Sequence, residues 1–147
     1  MRKINENKNA IFHHGISVVN NYTKIILGWM GTIFYMALIF YFSSLSKPIK
    51  YELPYDADKI IHFIEYAILG FLMTDSLKSS GIRRYVLIGW IAASVYGITD
   101  EIHQSFVPMR DASAFDIFAD GLGSFSGGYI HRVFIASLKY GSTGFKN

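Results

Sequence analysis

The sequence predicts an all-α integral membrane protein, in which four transmembrane helices form an antiparallel bundle and both termini lie in the cytoplasm. Three observations predict this class. Hydrophobic residues make up 51% of the 147 residues and charged residues only 17%, whereas about a quarter of a typical soluble domain is charged. Four apolar stretches alternate with short polar linkers. Basic residues are concentrated in the segments that would face the cytoplasm, as the positive-inside rule requires.

The first predicted helix is Ile25–Phe42, which contains no charged residue. Its length is just sufficient to cross a hydrocarbon core of about 30 Å. It follows a basic segment, 1–24, that we assign to a cytoplasmic tail. A signal peptide is the competing interpretation, but it would have a shorter apolar region, about 7–15 residues, before a small-residue cleavage site. Residues 43–48 lack such a site, so we expect a retained helix.

The other three predicted helices complete the membrane domain 25–138, and a cytoplasmic tail, 139–147, follows it. They are Asp58–Leu77, Tyr85–Thr99 with its continuation Asp100–Phe106, and Ala112–Leu138. Pro108 ends the third helix because proline disrupts helical hydrogen bonding. The linkers between these helices are short, and the chain contains no internal repeat.

Charge distribution orients this bundle and argues against a nucleic-acid partner. With the N-terminus inside, ten of the 14 basic residues and two of the 11 acidic residues lie on or near the cytoplasmic side. The outer side and the outer halves of the helices then hold four basic and nine acidic residues. The net charge of +3 is therefore mainly a signal of topology. The absence of cysteine excludes disulfides and thiolate metal sites.

Ionisable residues interrupt the second predicted helix along one face. Asp58, His62 and Glu65 are spaced i, i+4, i+7, which places them within about 60° of one another. Lys59 and Tyr66 flank this face. A charge near the bilayer centre costs about 2.5–3.5 kcal/mol, so an intramembrane ionisable group is a functional candidate by default. Asp58 has a second interpretation, as a residue of the first turn that favours the helix dipole.

The third and fourth helices carry acidic groups at the same level of an antiparallel bundle. Asp100, Glu101 and Gln104 lie where the third helix approaches the outer surface, and Asp116 and Asp120 lie near the start of the fourth. Because the second helix also begins at that surface, we expect the polar groups of all three helices to share one site.

Two other features of the sequence have structural interpretations. Gly123 and Gly127 form a small-xxx-small pattern on the fourth helix, which allows helices to approach closely. Three histidines, His13, His14 and His131, are expected to face solvent or lipid headgroups.

The predicted cluster can support acid–base chemistry or cation binding. Many carboxylates in a low-dielectric pocket cannot all ionise, so some must be protonated, neutralised by Lys59, Arg110 or His62, or bridged by a divalent cation. His62 beside Glu65 and Asp120 would form an acid–base unit. Mg²⁺, Mn²⁺ or Ca²⁺ suits oxygen ligands, but the spacing matches no specific metal motif and the cofactor stays unknown. Arg110 is suited to binding a phosphate or carboxylate.

Three ordered blocks resemble the VanZ-like family of small multi-pass bacterial membrane proteins. They are residues 58–70, 100–110 and 116–123, and the Phe-Ser-Ser run at 42–44 fits as well. The chain departs from the family where Met109 replaces a frequent glycine and Asp120 a frequent asparagine. The resemblance implies a role in the bacterial cell envelope and location in the cell membrane. The family's founding member is linked to low-level teicoplanin resistance, through reduced binding of lipid-bearing glycopeptides at the surface.

Three functional hypotheses follow from the residues and the resemblance. The first is a membrane enzyme that acts on a lipid or lipid-linked cell-wall component. Its candidate catalytic residues are His62, Glu65, Glu101 and Asp120. Its candidate substrate-binding residues are Asp58, Lys59, Tyr66, Asp100, Gln104, Arg110 and Asp116. The second is a non-catalytic binder of lipid or antibiotic, and the third a proton- or cation-coupled transporter. Four helices, no inverted repeat and a polar layer that stops halfway argue against transport. Homo-oligomerisation is left open.

Overall fold

Four α-helices form the regular secondary structure of the residues that the structure describes. The computed structural model describes residues 2–46, 55–110 and 112–143, and no strand occurs in these ranges. The helices are α1 Arg2–Ser43, α2 Tyr55–Ser79, α3 Tyr85–Gln104 and α4 Ala114–Thr143. The all-α class and the order of the four helices are confirmed. The segment 1–24, assigned to a tail, is helical from Arg2 onwards and continues directly into the apolar part of α1.

Two of the helices are long and apolar enough to cross a membrane. They are Ser17–Ser43 within α1 and Ala57–Ser79 within α2. The other two helices are not among these candidates: α3 has Asp100 and Glu101 close to its C-terminus, and α4 is rich in glycine and serine. Length and composition alone therefore support a membrane protein without establishing four spans.

The surface of the bundle is apolar and much of its interior is polar. Large side chains point outward from every helix, among them Phe34, which is 69% exposed, and Phe118, which is 66% exposed. Threonine, serine, histidine and carboxylate side chains are buried between the helices. Soluble proteins rarely expose extended apolar surface. This distribution is the one expected of a protein whose solvent is lipid.

Helices adjacent in the chain run antiparallel. Gly28 of α1 faces Ser76 near the end of α2, and Gly97 of α3 faces both Tyr66 of α2 and Asp120 of α4. Helices α2 and α4 consequently run in the same direction, and their interface is the most extensive in the bundle. The C-terminal ends of α1 and α3 and the N-terminal ends of α2 and α4 therefore lie together. We call this end of the bundle the His62 end.

Glycines allow α2 and α4 to approach to backbone contact. A Cβ atom on Gly123 would collide with the Phe63 carbonyl oxygen, and one on Gly127 with the Ala67 carbonyl oxygen. From the other side, a Cβ on Gly70 would lie 2.7 Å from the Cα atom of Ser124. Only a hydrogen atom fits at these positions, so the packing role predicted for the small-xxx-small pattern is confirmed.

The expectation that His131 faces solvent or headgroups is wrong. Its side chain is 1% exposed, and its Nε2 atom lies 2.9 Å from Asp75 Oδ1. The ring edge-stacks on Phe71 and Tyr85. Burial is possible because α4 continues past His131 along α2, which supplies both the aromatic contact and the carboxylate partner. Polar groups are thus buried towards both ends of the bundle, and the prediction of a polar layer confined to one half is wrong. The side chains of His13 and His14 lie outside the described residues.

Candidate functional site

One side chain from each of three helices forms the centre of the site. His62 Nδ1 of α2 lies 3.1 Å from Asp120 Oδ1 of α4 and 3.8 Å from Glu101 Oε1 of α3. All three residues are buried, with exposures of 5%, 1% and 2% respectively. The structure thereby brings together three of the four residues predicted to be catalytic.

The start of α4 holds Glu101 in place. The backbone N–H of Ser113 donates a 3.0 Å hydrogen bond to Glu101 Oε2. The Ser113 hydroxyl accepts a 3.2 Å hydrogen bond from the N–H of Phe115, two residues further on, as an N-cap serine does. One oxygen of Glu101 is therefore fixed by the helix terminus, and the other, Oε1, points towards His62.

A glycine makes room for Asp120. A Cβ atom on Gly97 would lie 2.9 Å from Asp120 Oδ2 and 3.1 Å from the Tyr66 ring. Any larger residue at position 97 would displace one of these two side chains. Tyr66 is fully buried next to Asp120, as the sequence predicts for a residue that flanks the site.

Several buried polar atoms at the centre of the site lack hydrogen-bond partners. Within the described residues these atoms are Glu101 Oε1, Asp120 Oδ2, Asp116 Oδ1 and the Tyr66 hydroxyl. Buried polar groups are paired in the great majority of cases, and each exception calls for an explanation such as a proton, a water molecule or a ligand. Four such atoms in one region indicate that the protein's own groups do not complete this site.

A second group of ionisable residues adjoins the centre at the start of α2. Lys59 Nζ lies 3.9 Å from Asp116 Oδ1 and 6.0 Å from the centroid of the Phe115 ring. Asp58, His62 and Asp116 each have one potential metal-ligand atom, and these three atoms lie within 4.8 Å of one another. The Lys59 side chain is 23% exposed, so this group forms the partly accessible edge of the site.

Three predicted binding residues belong to a separate network at the same end. Asp100 accepts a 2.6 Å hydrogen bond from the Ser43 hydroxyl and a 3.0 Å hydrogen bond from the Gln104 side-chain amide. Arg110 donates to Gln104 Oε1 at 3.4 Å and to the Phe42 carbonyl at 2.8 Å. These contacts fasten α3 and the loop after it to the C-terminal end of α1. They give the three residues a structural role.

Glu65 occupies the space between the two networks. Its side chain is half-buried, and its charge interacts with those of His62 and Asp120 in the centre and of Asp100 and Arg110 in the second network. Its backbone carbonyl accepts a 3.3 Å hydrogen bond from the Tyr35 hydroxyl of α1. Glu65 therefore lies close enough to His62 for their charges to interact, although no hydrogen bond or ion pair joins the two side chains within the described residues.

Sequence analysis gave no role to three residues at this end of the bundle. Ser113 was recognisable as an N-cap, since it precedes an apolar stretch. Ser43 belongs to a run that the family resemblance highlighted without a role. Met109, in the loop after α3, adopts a positive φ of 64°; this conformation disfavours side chains with a Cβ atom and suits glycine, the residue that the family resemblance led us to expect there.

Comparison with protein families identifies the relationship. A family model described as VanZ/LLP1 matches residues 8–135. The chain belongs to the VanZ/LLP1 family. The matched range covers the residues of all four helices at the His62 end. Membership of the family supports a membrane protein of the cell envelope. Neither the curated proteins nor the solved structures yield a significant match to this VanZ/LLP1 protein.

Proposed function

We propose that this VanZ/LLP1 protein crosses the bacterial cell membrane four times, with the His62 end on the outer side. We further propose that the site there binds and chemically modifies a lipid or a lipid-linked cell-wall component, and thereby lowers susceptibility to teicoplanin. The apolar outer faces of α3 and α4 support two further spans. The distribution of basic residues supports the orientation.

The observation that carries the proposal is the set of unpartnered buried carboxylate oxygens beside His62. An imidazole 3.1 Å from a carboxylate is suited to accept and return a proton. In this proposal His62 acts with Asp120, and Glu101 supplies a second acid or base. Lys59, at the accessible edge, binds the anionic headgroup. Arg110 positions the end of α1, and its guanidinium is already occupied by protein acceptors.

Turnover by purified protein tests the catalytic proposal. The protein is incubated in mixed micelles with bilayer phospholipids or a labelled lipid-linked cell-wall precursor, and the products are separated by chromatography. We expect His62→Ala to reduce turnover by about 10²–10⁴-fold, the usual contribution of general acid–base catalysis. His103→Ala is the matched control, because this histidine lies at the same end and bonds Ser44 instead. Saturable binding without product would refute catalysis and favour the hypothesis of a non-catalytic binder. Failure to bind any of these lipids would refute both the enzyme and the binder hypotheses.

The phenotype is tested separately, in a susceptible bacterial host. Expression of the chain should raise the inhibitory concentration of teicoplanin more than that of a glycopeptide without a lipid tail. His62→Ala should abolish the increase and His103→Ala should retain it. Equal teicoplanin resistance in the two variants would show that the resistance does not depend on His62.

The absence of cysteine makes the topology directly measurable. Single substitutions Ser105→Cys, at the His62 end, and Ser80→Cys, at the opposite end, provide one thiol each on a background without any. A membrane-impermeant thiol reagent applied to intact cells should label position 105, and label position 80 only after permeabilisation. The reverse pattern would invert the proposed orientation.

One observation favours transport as a second candidate. Asp75, His131 and the unpartnered Thr74 hydroxyl are polar groups in the other half of the bundle. Asp120 and His131 are separated along α4 by about 16 Å at 1.5 Å per residue. A proton-coupled transporter would use buried groups in both halves. Proteoliposomes with an imposed pH gradient should then show a proton flux that His131→Gln removes, and an unchanged internal pH would exclude this candidate.

A further inference from the structure

We infer that His62, Glu101 and Asp120 bind a divalent metal ion. Their candidate ligand atoms all lie within 4.8 Å of one another. The imidazole Nδ1 is 3.1 Å from one carboxylate oxygen and 3.8 Å from the other. Ligand atoms bound about 2.1 Å from a metal at octahedral or tetrahedral angles lie about 3.0–3.4 Å apart. Both imidazole–carboxylate distances therefore lie within about 0.4 Å of the tetrahedral spacing.

The charge balance of the two buried carboxylates supports a bound cation independently of the distances between the ligand atoms. Glu101 Oε1 and Asp120 Oδ2 are buried and have no hydrogen-bond partner among the described residues. Within those residues, His62 is the only cationic side chain within ion-pair distance of either carboxylate. One imidazolium cannot balance two buried carboxylates, and an uncompensated buried charge is strongly unfavourable. A divalent cation held by Glu101 Oε1 and by Asp120 Oδ1, the oxygen that faces His62, would balance both charges.

The surroundings resemble those of a prearranged ligand set. The Ser113 N–H binds Oε2 of Glu101 and leaves Oε1 free, and such outer hydrogen bonds orient metal ligands. Gly97 closes off the opposite side of Asp120. Asp116 and Asp58 form an overlapping triad with the same imidazole, so a second acidic pair adjoins the site and favours a cation there.

The donor atoms indicate which cation. One imidazole nitrogen with carboxylate oxygens suits Mn²⁺ or Zn²⁺, whereas Mg²⁺ and Ca²⁺ prefer all-oxygen sites. A metal on Nδ1 would occupy the atom of His62 that faces Asp120, so the metal-bound state and the acid–base pairing of His62 with Asp120 are alternatives. This inference goes beyond the proposed function, because it concerns the protein alone and requires no lipid.

Manganese binding to the purified full chain tests the inference. Protein in detergent micelles is treated with a chelator, dialysed and titrated with Mn²⁺, and the signal of free Mn²⁺ is followed by electron paramagnetic resonance. We expect one ion per chain and displacement of Mn²⁺ by Zn²⁺. Glu101→Gln and Asp120→Asn should each weaken binding at least tenfold, and His103→Ala should bind like the wild type.

Two further measurements remain informative if a variant does not fold. Pulsed electron paramagnetic resonance on Mn²⁺-loaded wild-type protein should detect coupling to an imidazole nitrogen, and the coupling should persist in His103→Ala. Bound metal should also raise the unfolding temperature of the wild type. Absence of saturable binding up to millimolar Mn²⁺, or binding without nitrogen coupling, would overturn the inference. Lipid turnover is measured in a separate assay. Loss of turnover with intact Mn²⁺ binding would count against the proposed function alone, and absence of Mn²⁺ binding would count against the metal site alone.

Discussion

Substituting alanine for Gly123 should separate α2 from α4 and damage the site. A Cβ atom at this position would collide with the Phe63 carbonyl oxygen and lie 3.0 Å from the Phe63 carbonyl carbon and 3.1 Å from the Ala67 nitrogen. These are backbone atoms of a neighbouring helix, which cannot rotate away. Restoring ordinary contact distances of about 3.5–4.0 Å requires the helices to move apart by up to about 1 Å.

The expected change in the free energy of unfolding combines two destabilising effects and one stabilising effect. Overpacking of this kind costs about 1–3 kcal/mol. Asp120 lies one turn before Gly123, and His62 adjoins Phe63, so the same movement would lengthen the 3.1 Å contact between them to about 4 Å, beyond hydrogen-bonding distance. A hydrogen bond to a charged group contributes about 1.5–3 kcal/mol. Alanine recovers about 0.5–1 kcal/mol of helix propensity. We expect a net destabilisation of about 1.5–5.5 kcal/mol.

Equilibrium unfolding in mixed micelles measures this change. Unfolding by increasing fractions of a denaturing detergent is followed by circular dichroism, and the variant is compared with Gly31→Ala. A Cβ on Gly31 would meet no atom within 4 Å, so that control should be neutral or stabilised by up to about 1 kcal/mol. If Gly123→Ala is as stable as Gly31→Ala, the close approach of α2 and α4 does not hold the site together.

Three further substitutions test other contacts. Met109→Gly should stabilise the fold by about 0.5–1 kcal/mol in the same unfolding assay, because it removes the strain of a positive φ; lower stability would contradict this. Arg110→Lys should lower the free energy of unfolding by about 1–3 kcal/mol, because lysine cannot reproduce the several hydrogen bonds that the guanidinium donates to α1 and α3. An unchanged unfolding midpoint would show that these hydrogen bonds do not stabilise the attachment of α1. His131→Ala should cost more than the about 0.5 kcal/mol of a surface change, because it leaves Asp75 without its partner.

Sequence reasoning anticipated much of the site because helical periodicity is a local property. The i, i+4 spacing placed Asp58 and His62 on one face, and two ionisable residues on one face of an apolar helix are improbable without a purpose. The antiparallel order then brought the end of α3 to the starts of α2 and α4. Those inferences required only rise per residue and chain direction.

The partition of the polar residues into two networks could not be inferred in this way. Asp100 and Glu101 are neighbours in sequence, yet one binds Ser43 of α1 and the other faces His62 of α2. Successive residues on a helix point about 100° apart, so which neighbour each one meets depends on the rotation of α3 within the bundle. Composition and spacing do not specify that rotation.

The sequence by itself determined the helices, their order and the family, because hydrophobic length and recurring local motifs are written along the chain. Only the tertiary structure decided that Arg110 fastens α1, that Glu65 lies between the two polar networks, and that His131 is buried against Asp75. The reason is geometric. Backbone contact at glycines such as Gly123 and Gly127 fixes how the helices are rotated and spaced, and side-chain partners follow from that contact.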